Sequence, residues 1–299
     1  MESMRDIRTR ITSVQKTMKI TNAMYLMASS KLKKARKTLA ETEPYFDSLQ
    51  RAIAKIIAHT DLNNERFFAT DRDIPADQIR HGYIIITSDR GLAGAYNHNV
   101  CKVAETELKK SDKDLLFCIG QSGRNYFARH PELAFRMDQN YCFSAGEPSV
   151  WLARNLANHV IELFLKGELD AVHVVYTEMV NAMTAETRMI QLLPLKGNMF
   201  PDANVHETET YIENFDPSPS EVLRKVVPNY VKGMLYGTMV ESYAAEQNAR
   251  MSAMDSATEN GKEIVSQLSL QYNRIRQAAI TTEIAEIVGG ANALKKAKK

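Results

Sequence analysis

The stretch that decides the fold is ATENGKEIVSQLSLQYNRIRQAAITTEIAEIVGGANAL, Ala257 to Leu294. It contains no proline, and it closes a longer region, from Ser218 to about Asn292, in which no proline follows Pro228. At about 1.5 Å per residue, a helix running through that region is on the order of 100 Å long. No single globular core covers such a rod, so it needs a partner along its length. Val265, Leu268, Tyr272, Ile275 and Ala279 alternate in steps of three and four. Beyond Ala279 the apolar positions change phase, to Ile280, Ile284, Ile287 and Val288.

The opening of the chain offers the partner. Ile7, Ile11, Val14, Met18, Thr21, Tyr25, Ala28, Leu32, Ala35, Leu39, Thr42, Phe46, Leu49, Ile53 and Ile56 alternate four and three through seven heptads. A repeat of about 3.5 residues held that long predicts a left-handed supercoil against a second helix. Thr21, Ala28, Ala35 and Thr42 are small and permit close approach. Pro44 removes a backbone donor, so it is expected to kink or end the first helical segment.

Between these ends the pattern changes. Residues 60–78 are polar and turn-rich and read as a connector. Gly82–Thr87 and Leu115–Ile119 are short β-branched runs that suit buried strands. Helical stretches are expected near Asn99–Lys109 and Ser122–Ala128, and Tyr141–Phe143 is a candidate third strand. Pro148-Ser149 opens a helix with Leu152, Leu156, Val160 and Leu163 on one face, closed by Gly167. Ala171–Tyr176 and Arg188–Leu195 read as two further strands joined by a short link. This alternation implies a small α/β domain with a largely parallel sheet and an antiparallel edge.

The expected fold is a long antiparallel coiled coil of the N- and C-terminal helices plus a small Rossmann-like α/β domain. Its divisions are a helix over 1–59, the connector 60–78, the α/β domain 79–200, an acidic linker 201–219, a helix over 220–292 and a basic tail 293–299.

Charge is distributed in blocks. The net charge is only +2, yet Met1 to Ala40 holds ten Lys/Arg against two Asp/Glu, and Gly197 to Leu223 holds six Asp/Glu and no Lys/Arg. Cys101, Cys118 and Cys142 are scattered without metal-ligand spacing, which points to buried thiols in a reducing compartment. No apolar run approaches the roughly 20 residues needed to cross a bilayer. The Arg-rich amphipathic start continues its period far beyond any cleavable segment, so a transit peptide is not expected.

Few residues read as chemistry. Ser88-Asp89-Arg90-Gly91-Leu92-Ala93-Gly94-Ala95-Tyr96-Asn97 follows the first strand, where a glycine loop can cradle phosphate on backbone N–H groups. Its Gly-x-x-Gly spacing is neither the dinucleotide fingerprint nor a phosphate loop, so the glycines read as those of a tight strand-to-helix turn and license no nucleotide site. His59, His81, His98, His130, His159, His173 and His206 show no metal-binding helical spacing and no nucleophile beside them. The basic cluster Lys31-Leu32-Lys33-Lys34-Ala35-Arg36-Lys37 suits a solvated helix face, nucleic acid or an acidic partner surface. Tyr25 is its only nearby stacking group. Two further readings stay open on these residues: a nucleotide-dependent enzyme with helical dimerisation arms, and a basic coiled-coil nucleic-acid binder. Around Ile280, polar residues mix with apolar ones at the expected tip of a projecting helix, a surface suited to insertion into another protein.

Three motifs carry a resemblance over essentially the whole chain. They are Ile7-Arg8-x-Arg10-Ile11-x-Ser13-Val14-x-x-Thr17-x-Lys19-Ile20-Thr21 with Ala23-Met24 and Ala28-Ser29-x-Lys31; Ser88-Asp89-Arg90-Gly91-Leu92-x-Gly94 with Asn97; and Asn273-Arg274-x-Arg276-Gln277-Ala278-x-Ile280-Thr281-x-Glu283-Ile284-x-Glu286-Ile287-Val288-Gly289-Gly290-Ala291. In this order they resemble the γ subunit of F-type ATP synthases. Ala93 stands where that family often has cysteine, the tail Lys295 to Lys299 runs past the usual end, and no cysteine-bearing regulatory insertion is present. The lack of a presequence favours a bacterial source.

The resemblance implies a non-catalytic rotor stalk that couples ion flow through the membrane c-ring to ATP synthesis or hydrolysis on the β subunits. Implied partners are the α3β3 ring, the ε subunit and the c-ring, on the cytoplasmic face of the membrane. No cofactor, metal, nucleic acid or directly bound nucleotide is expected. By the same resemblance, Met24, Lys31, Lys33, Lys34, Arg250, Arg276, Gln277 and Thr281 contact β. Ile280, Ile284, Ile287 and Val288 form an apolar bearing tip. The seam comprises Ile7, Ile11, Val14, Met18, Tyr25, Val265, Leu268, Tyr272 and Ile275.

Overall fold

The computed structural model describes residues 3–58, 65–68, 75, 78–134, 136–181, 184–200, 215–216 and 218–297, with side chains up to 291. The elements in chain order are α1 (Met4–Ile57), β1 (His81–Ile86), α2 (Tyr96–Leu108), β2 (Leu115–Ile119), α3 (Gln121–Ala128), α4 (Pro131–Ala134), α5 (Val150–Lys166), β3 (Ala171–Met179), β4 (Ala185–Leu193) and α6 (Pro219–Ala297). They form two compact units. One joins the chain up to Met27 with Met251 onward, and the other spans Ala28–Arg250. Both long helices contribute to both units, so neither unit coincides with a terminal helix or with the 79–200 segment.

In the first unit, the start of α1 is set by a reciprocal cap. The Asp6 backbone N donates to Ser3 Oγ, and Ser3 N and Oγ donate back to the Asp6 carboxylate. These bonds satisfy donors that a helix start otherwise leaves unpaired. The two helices run antiparallel. Thr21 Oγ1 lies 2.7 Å from Thr258 Oγ1, and three residues back on α1, Met18 packs on Gly261, three residues forward on α6. A Cβ at Gly261 would fall 2.6 Å from Met18 Cγ, so glycine is what lets the helices approach there. Along this seam Ile7, Thr21 and Leu268 are buried, while Ile11, Val14, Met18, Tyr25, Val265, Tyr272 and Ile275 are half-buried.

In the second unit, α1 continues through Pro44 to Ile57. The proline therefore does not end the helix, as one branch of the sequence expectation had it. An interior proline costs about 3 kcal/mol, and packing on both sides offsets it. The Phe46 ring fills the space over Gly233 of α6, and Ile53, Ala54 and Ile56 are buried. Ser218 starts α6 by accepting the Glu221 N–H on its hydroxyl, and Pro219 takes the first helical position, where its missing donor costs nothing.

The sheet has the order β2-β1-β3-β4, with β1 parallel to β2 and β3, and β4 antiparallel to β3. Ile84, Ile86, Phe117, Val172 and Val174 face one core with Leu156, Val160 and Phe164 of α5 and with Ile53 and Val231 of the long helices. Tyr83, Ile85, Leu116, Cys118 and Val175 face a second core under α2 and α3. Ser149 caps α5, and Gly167 ends it in the left-handed region at φ 76°.

Two expectations are corrected. Tyr141–Phe143 is not a third strand. A 3-10 turn, Gln139–Tyr141, occupies it, and only isolated bridges at Met137 and Phe143 touch the edge of β2. The Asp138 carboxylate accepts the Asn140 N–H and turns the chain out of extended register. The last strand is Ala185–Leu193 rather than Arg188–Leu195. Its first residues are polar edge positions, held across the pair by Arg188 Nε to Glu178 Oε2 at 2.6 Å. Most of the connector and of the acidic linker lies outside the described residues, as do Lys298 and Lys299. The backbone of α6 runs on through Lys295 and Lys296.

Candidate functional site

Beyond Ala279 the α6 face changes character. Ile280, Ile284, Ile287 and Val288 are 48%, 56%, 72% and 53% exposed, a set of apolar side chains without cover in the isolated chain. Burying a side chain of this size is worth about 1.5–3 kcal/mol, so the tip is a surface with a strong tendency to be covered. Arg276, Gln277 and Thr281 on the same stretch are exposed, and the Thr281 hydroxyl donates only back to the Gln277 carbonyl. Lys31, Lys33 and Lys34 project outward while Leu32 and Ala35 between them are buried. Lys34 Nζ reaches Glu147 Oε2 at 2.7 Å, and this bond holds the Glu147 carboxyl below its ordinary range. Met24 is half-buried. Ile20, Leu26, Met27 and Leu270 are also more than half exposed, elsewhere along the two helices. Periodicity alone passes over them, because they lie off the seam. Their signal is the opposite one: large apolar residues where a coiled coil carries charge.

The strand-to-helix loop is a braced structure. Ser88 N donates to Asn97 Oδ1 at 2.8 Å, and the Asn97 amide donates back to Ser88 Oγ. Asp89 accepts from the backbone N–H of Gln121 and Ala145 and from the Ser144 hydroxyl. Burial acts to raise its carboxyl, but these bonds hold it below the usual carboxylate range. Leu92 at φ 64° and Gly94 at φ 56° turn the chain into α2. The cleft beside the loop, lined by Thr87, Tyr96, Ser144, Glu147, Tyr243 and Glu246, has a volume of about 20 Å³. That is room for a single water, far less than a nucleotide requires.

Arg250 is turned toward this loop. Its Nη1 meets Glu246 Oε1 at 2.6 Å, and its Nη2 donates to the carbonyls of Arg90 and Gly91 at 3.2 and 3.3 Å. Two turns earlier on α6, Ser242 Oγ lies 2.8 Å from the Tyr96 hydroxyl and accepts the Thr177 N–H. The fold also brings together His81 and His173, whose Nδ1 and Nε2 are 3.2 Å apart across the parallel pair β1–β3. Burial, aided by His81, pushes the His173 pKa down to about 4.

Comparison with known proteins agrees with this architecture. Residues 3–294 match the family model described as ATP synthase. The chain is 40% identical over 297 residues to the ATP synthase gamma chain of Ruminiclostridium cellulolyticum, covering 98% of this chain and 99% of that one. It is 39% identical over 307 residues to the sodium ion specific ATP synthase gamma chain of Acetobacterium woodii, covering 98% and 99% respectively. In fold it is similar to chains of the mitochondrial ATP synthases of Euglena gracilis (TM-score 0.64, 18% identity, 99% of this chain and 96% of that chain) and Tetrahymena thermophila, central stalk and c-ring (0.58, 24%, 80% and 99%). The antiparallel helices, the four-stranded domain and these matches along nearly the full length make this chain a member of the ATP synthase gamma-chain family.

Proposed function

We propose that this chain turns as a shaft whose tip, Ile280 to Val288, is enclosed by the α3β3 ring, while Met24, Lys31, Lys33, Lys34, Arg276, Gln277 and Thr281 face the β subunits. As a gamma chain it is a stalk subunit of F1 ATP synthase and not itself the catalyst; synthesis and hydrolysis belong to the β subunits. The observation that carries the reading is the bare apolar face of α6 past Ala279, four large side chains about half exposed or more. Apolar contacts are non-directional, so such a face can be buried and still turn against its surroundings.

One asymmetric shaft in a threefold ring presents a different face to each β subunit. Contacts that favour one β conformation over another convert shaft angle into site affinity, a coupling free energy between distant sites. Lysines exposed beside α1 contribute orientation more than affinity, since exposed ion pairs are worth about 0–1 kcal/mol. The assembly is a peripheral, membrane-associated complex; among the described residues no helix is long and apolar enough to cross a bilayer. Seating on the cytoplasmic face of a bacterial membrane, with the ε subunit and c-ring below, completes the proposal.

The test is Arg276→Ala with Gln277→Ala in a reconstituted complex. Both side chains are exposed in the isolated chain, so its fold should persist while ATP synthesis or assembly falls. Synthesis at the wild-type rate with full subunit content sinks the assignment.

A further inference from the structure

We propose that Arg250 is a positioning residue: it keys the sheet domain to α6 at the point where that helix leaves the domain. The inference rests on the rotor reading above, and it assigns Arg250 a role within the chain in place of one toward the ring. Arg250 is the last residue of the compact unit Ala28–Arg250, and α6 continues beyond it to Ala297.

The junction is made by two kinds of contact. Ala245 packs with Ala93 and Tyr96 in a small apolar cluster. Such contact resists separation but opposes sliding weakly, because it has no preferred direction. Hydrogen bonds are directional and weaken steeply off-axis, so they are what resists rotation of the helix against the domain. Arg250 supplies two of them from the far side of a guanidinium whose near side is held by Glu246. A planar fork of fixed donors holds a carboxylate one helical turn back and two carbonyls on another element at once; an ammonium has three donors too, but they rotate and no plane fixes their aim. The Arg250 and Glu246 side chains are only 12% and 9% exposed, so the ion pair that anchors the guanidinium is shielded from water, while the two carbonyls it reaches belong to exposed loop residues.

The loop that receives them is itself fixed. Arg90 and Gly91 follow Asp89, which is tied to the start of α3 through Gln121 and to Ser144 and Ala145. Ser88 just before is tied to Asn97 of α2. Force applied at the Arg90 and Gly91 carbonyls therefore passes into the carboxyl ends of β1 and β2 rather than into a loose turn. Stability alone does not call for a buried ion pair here, since apolar replacements of such pairs are often neutral or better. A directional latch does.

The experiment uses the assembled enzyme in vesicles. The double variant Glu246→Gln with Arg250→Met removes both partners without stranding a buried charge, and Arg250→Lys keeps the charge but loses the fork. Two quantities are read: ions pumped per ATP hydrolysed, and the angular variance of a bead fixed to the sheet domain while the ring is paused. With two directional bonds gone, the double variant should widen the variance about two-fold and lower the pumping ratio, with Arg250→Lys between it and wild type. Wild-type variance and ratio in both variants overturn the keying. If the double variant does not assemble, Arg250→Lys decides: intermediate variance supports the latch, and wild-type variance refutes it. A wild-type complex whose bead never rotates overturns the rotor reading itself.

Discussion

Gly233 and Gly237 sit one turn apart on α6, and replacing each with alanine should shift stability in opposite directions. A Cβ at Gly233 would fall 1.8 Å from Phe46 Cε1, 2.7 Å from Cζ and 2.9 Å from Cδ1. Carbon atoms in contact prefer about 3.5–4.0 Å, so the ring must retreat by about 1.7 Å at its closest atom, or α1 and α6 must part. Overpacking of this kind costs about 1–3 kcal/mol, and alanine returns about 1 kcal/mol through helix propensity. The net expectation for Gly233→Ala is a loss of about 1 kcal/mol. At Gly237 the nearest atom, Phe46 Cε2, would lie at 3.9 Å, an ordinary contact. Gly237→Ala keeps the propensity gain of about 0.5–1 kcal/mol without the clash.

Thermal melts of the full chain followed by circular dichroism read the two signs, at about 2 °C per kcal/mol for a chain of this size. Phe46→Leu in the Gly233→Ala background should recover most of the loss, because the offending ring atoms are gone. The steric reasoning is refuted if both alanine variants move the midpoint the same way, or if Phe46→Leu adds to the loss.

Gly120 adopts φ 101°, and a Cβ there would meet the Thr87 carbonyl oxygen at 2.3 Å; backbone cannot step aside, so Gly120→Ala should cost more than about 3 kcal/mol, and an unchanged midpoint would show the strand end to be pliable. Ile284→Asp with Ile287→Asp places charge on side chains already exposed, so the free chain should melt within about 0.5 kcal/mol of wild type while recovery of intact α3β3 complex drops sharply; equal recovery contradicts an enclosed tip. His173 has its folded pKa pushed to about 4 from 6.5, so below pH 6.5 the unfolded chain binds the extra proton and stability falls as pH drops toward 4. The loss reaches on the order of 3 kcal/mol by pH 4, is absent above pH 7, and should vanish in His173→Gln; an equally steep acid slope in that variant removes His173 as its source.

The period of about 3.5 residues made the helical pairing readable, because it keeps one stripe of each helix on the same side over many turns. Leu115–Ile119 was equally plain, since a strand covered on both faces is apolar throughout. What escaped reading was decided by tertiary contact. Arg250 with Glu246 looks like an ordinary surface pair at helical spacing, and the carbonyls Arg250 also reaches, on Arg90 and Gly91, are 160 and 159 residues away in sequence. The first residues of β4 look like linker because an exposed edge needs no apolar pattern. The His81–His173 pair joins strands 92 residues apart in sequence, a distance over which spacing rules carry no information. The reverse error occurred at Tyr141–Phe143, where β propensity lost to the Asp138 turn.

The contact between Thr21 and Thr258 joins positions 237 residues apart, and this has a consequence for how the protein is made. At about 5–20 residues per second, translation delivers the second threonine roughly 10–50 s after the first. Throughout that interval the apolar stripe of α1 exists without the helix that covers it, and the sheet domain is itself incomplete until β4 ends at Leu193 and Val231 of α6 joins its core. Loop closure over so long a span is also slow and entropically costly. The nascent chain thus spends most of its synthesis as a sticky, uncovered rod ahead of an unfinished domain. Its vulnerable period in the cell is birth, ending only when the last helix emerges and zips back along the first.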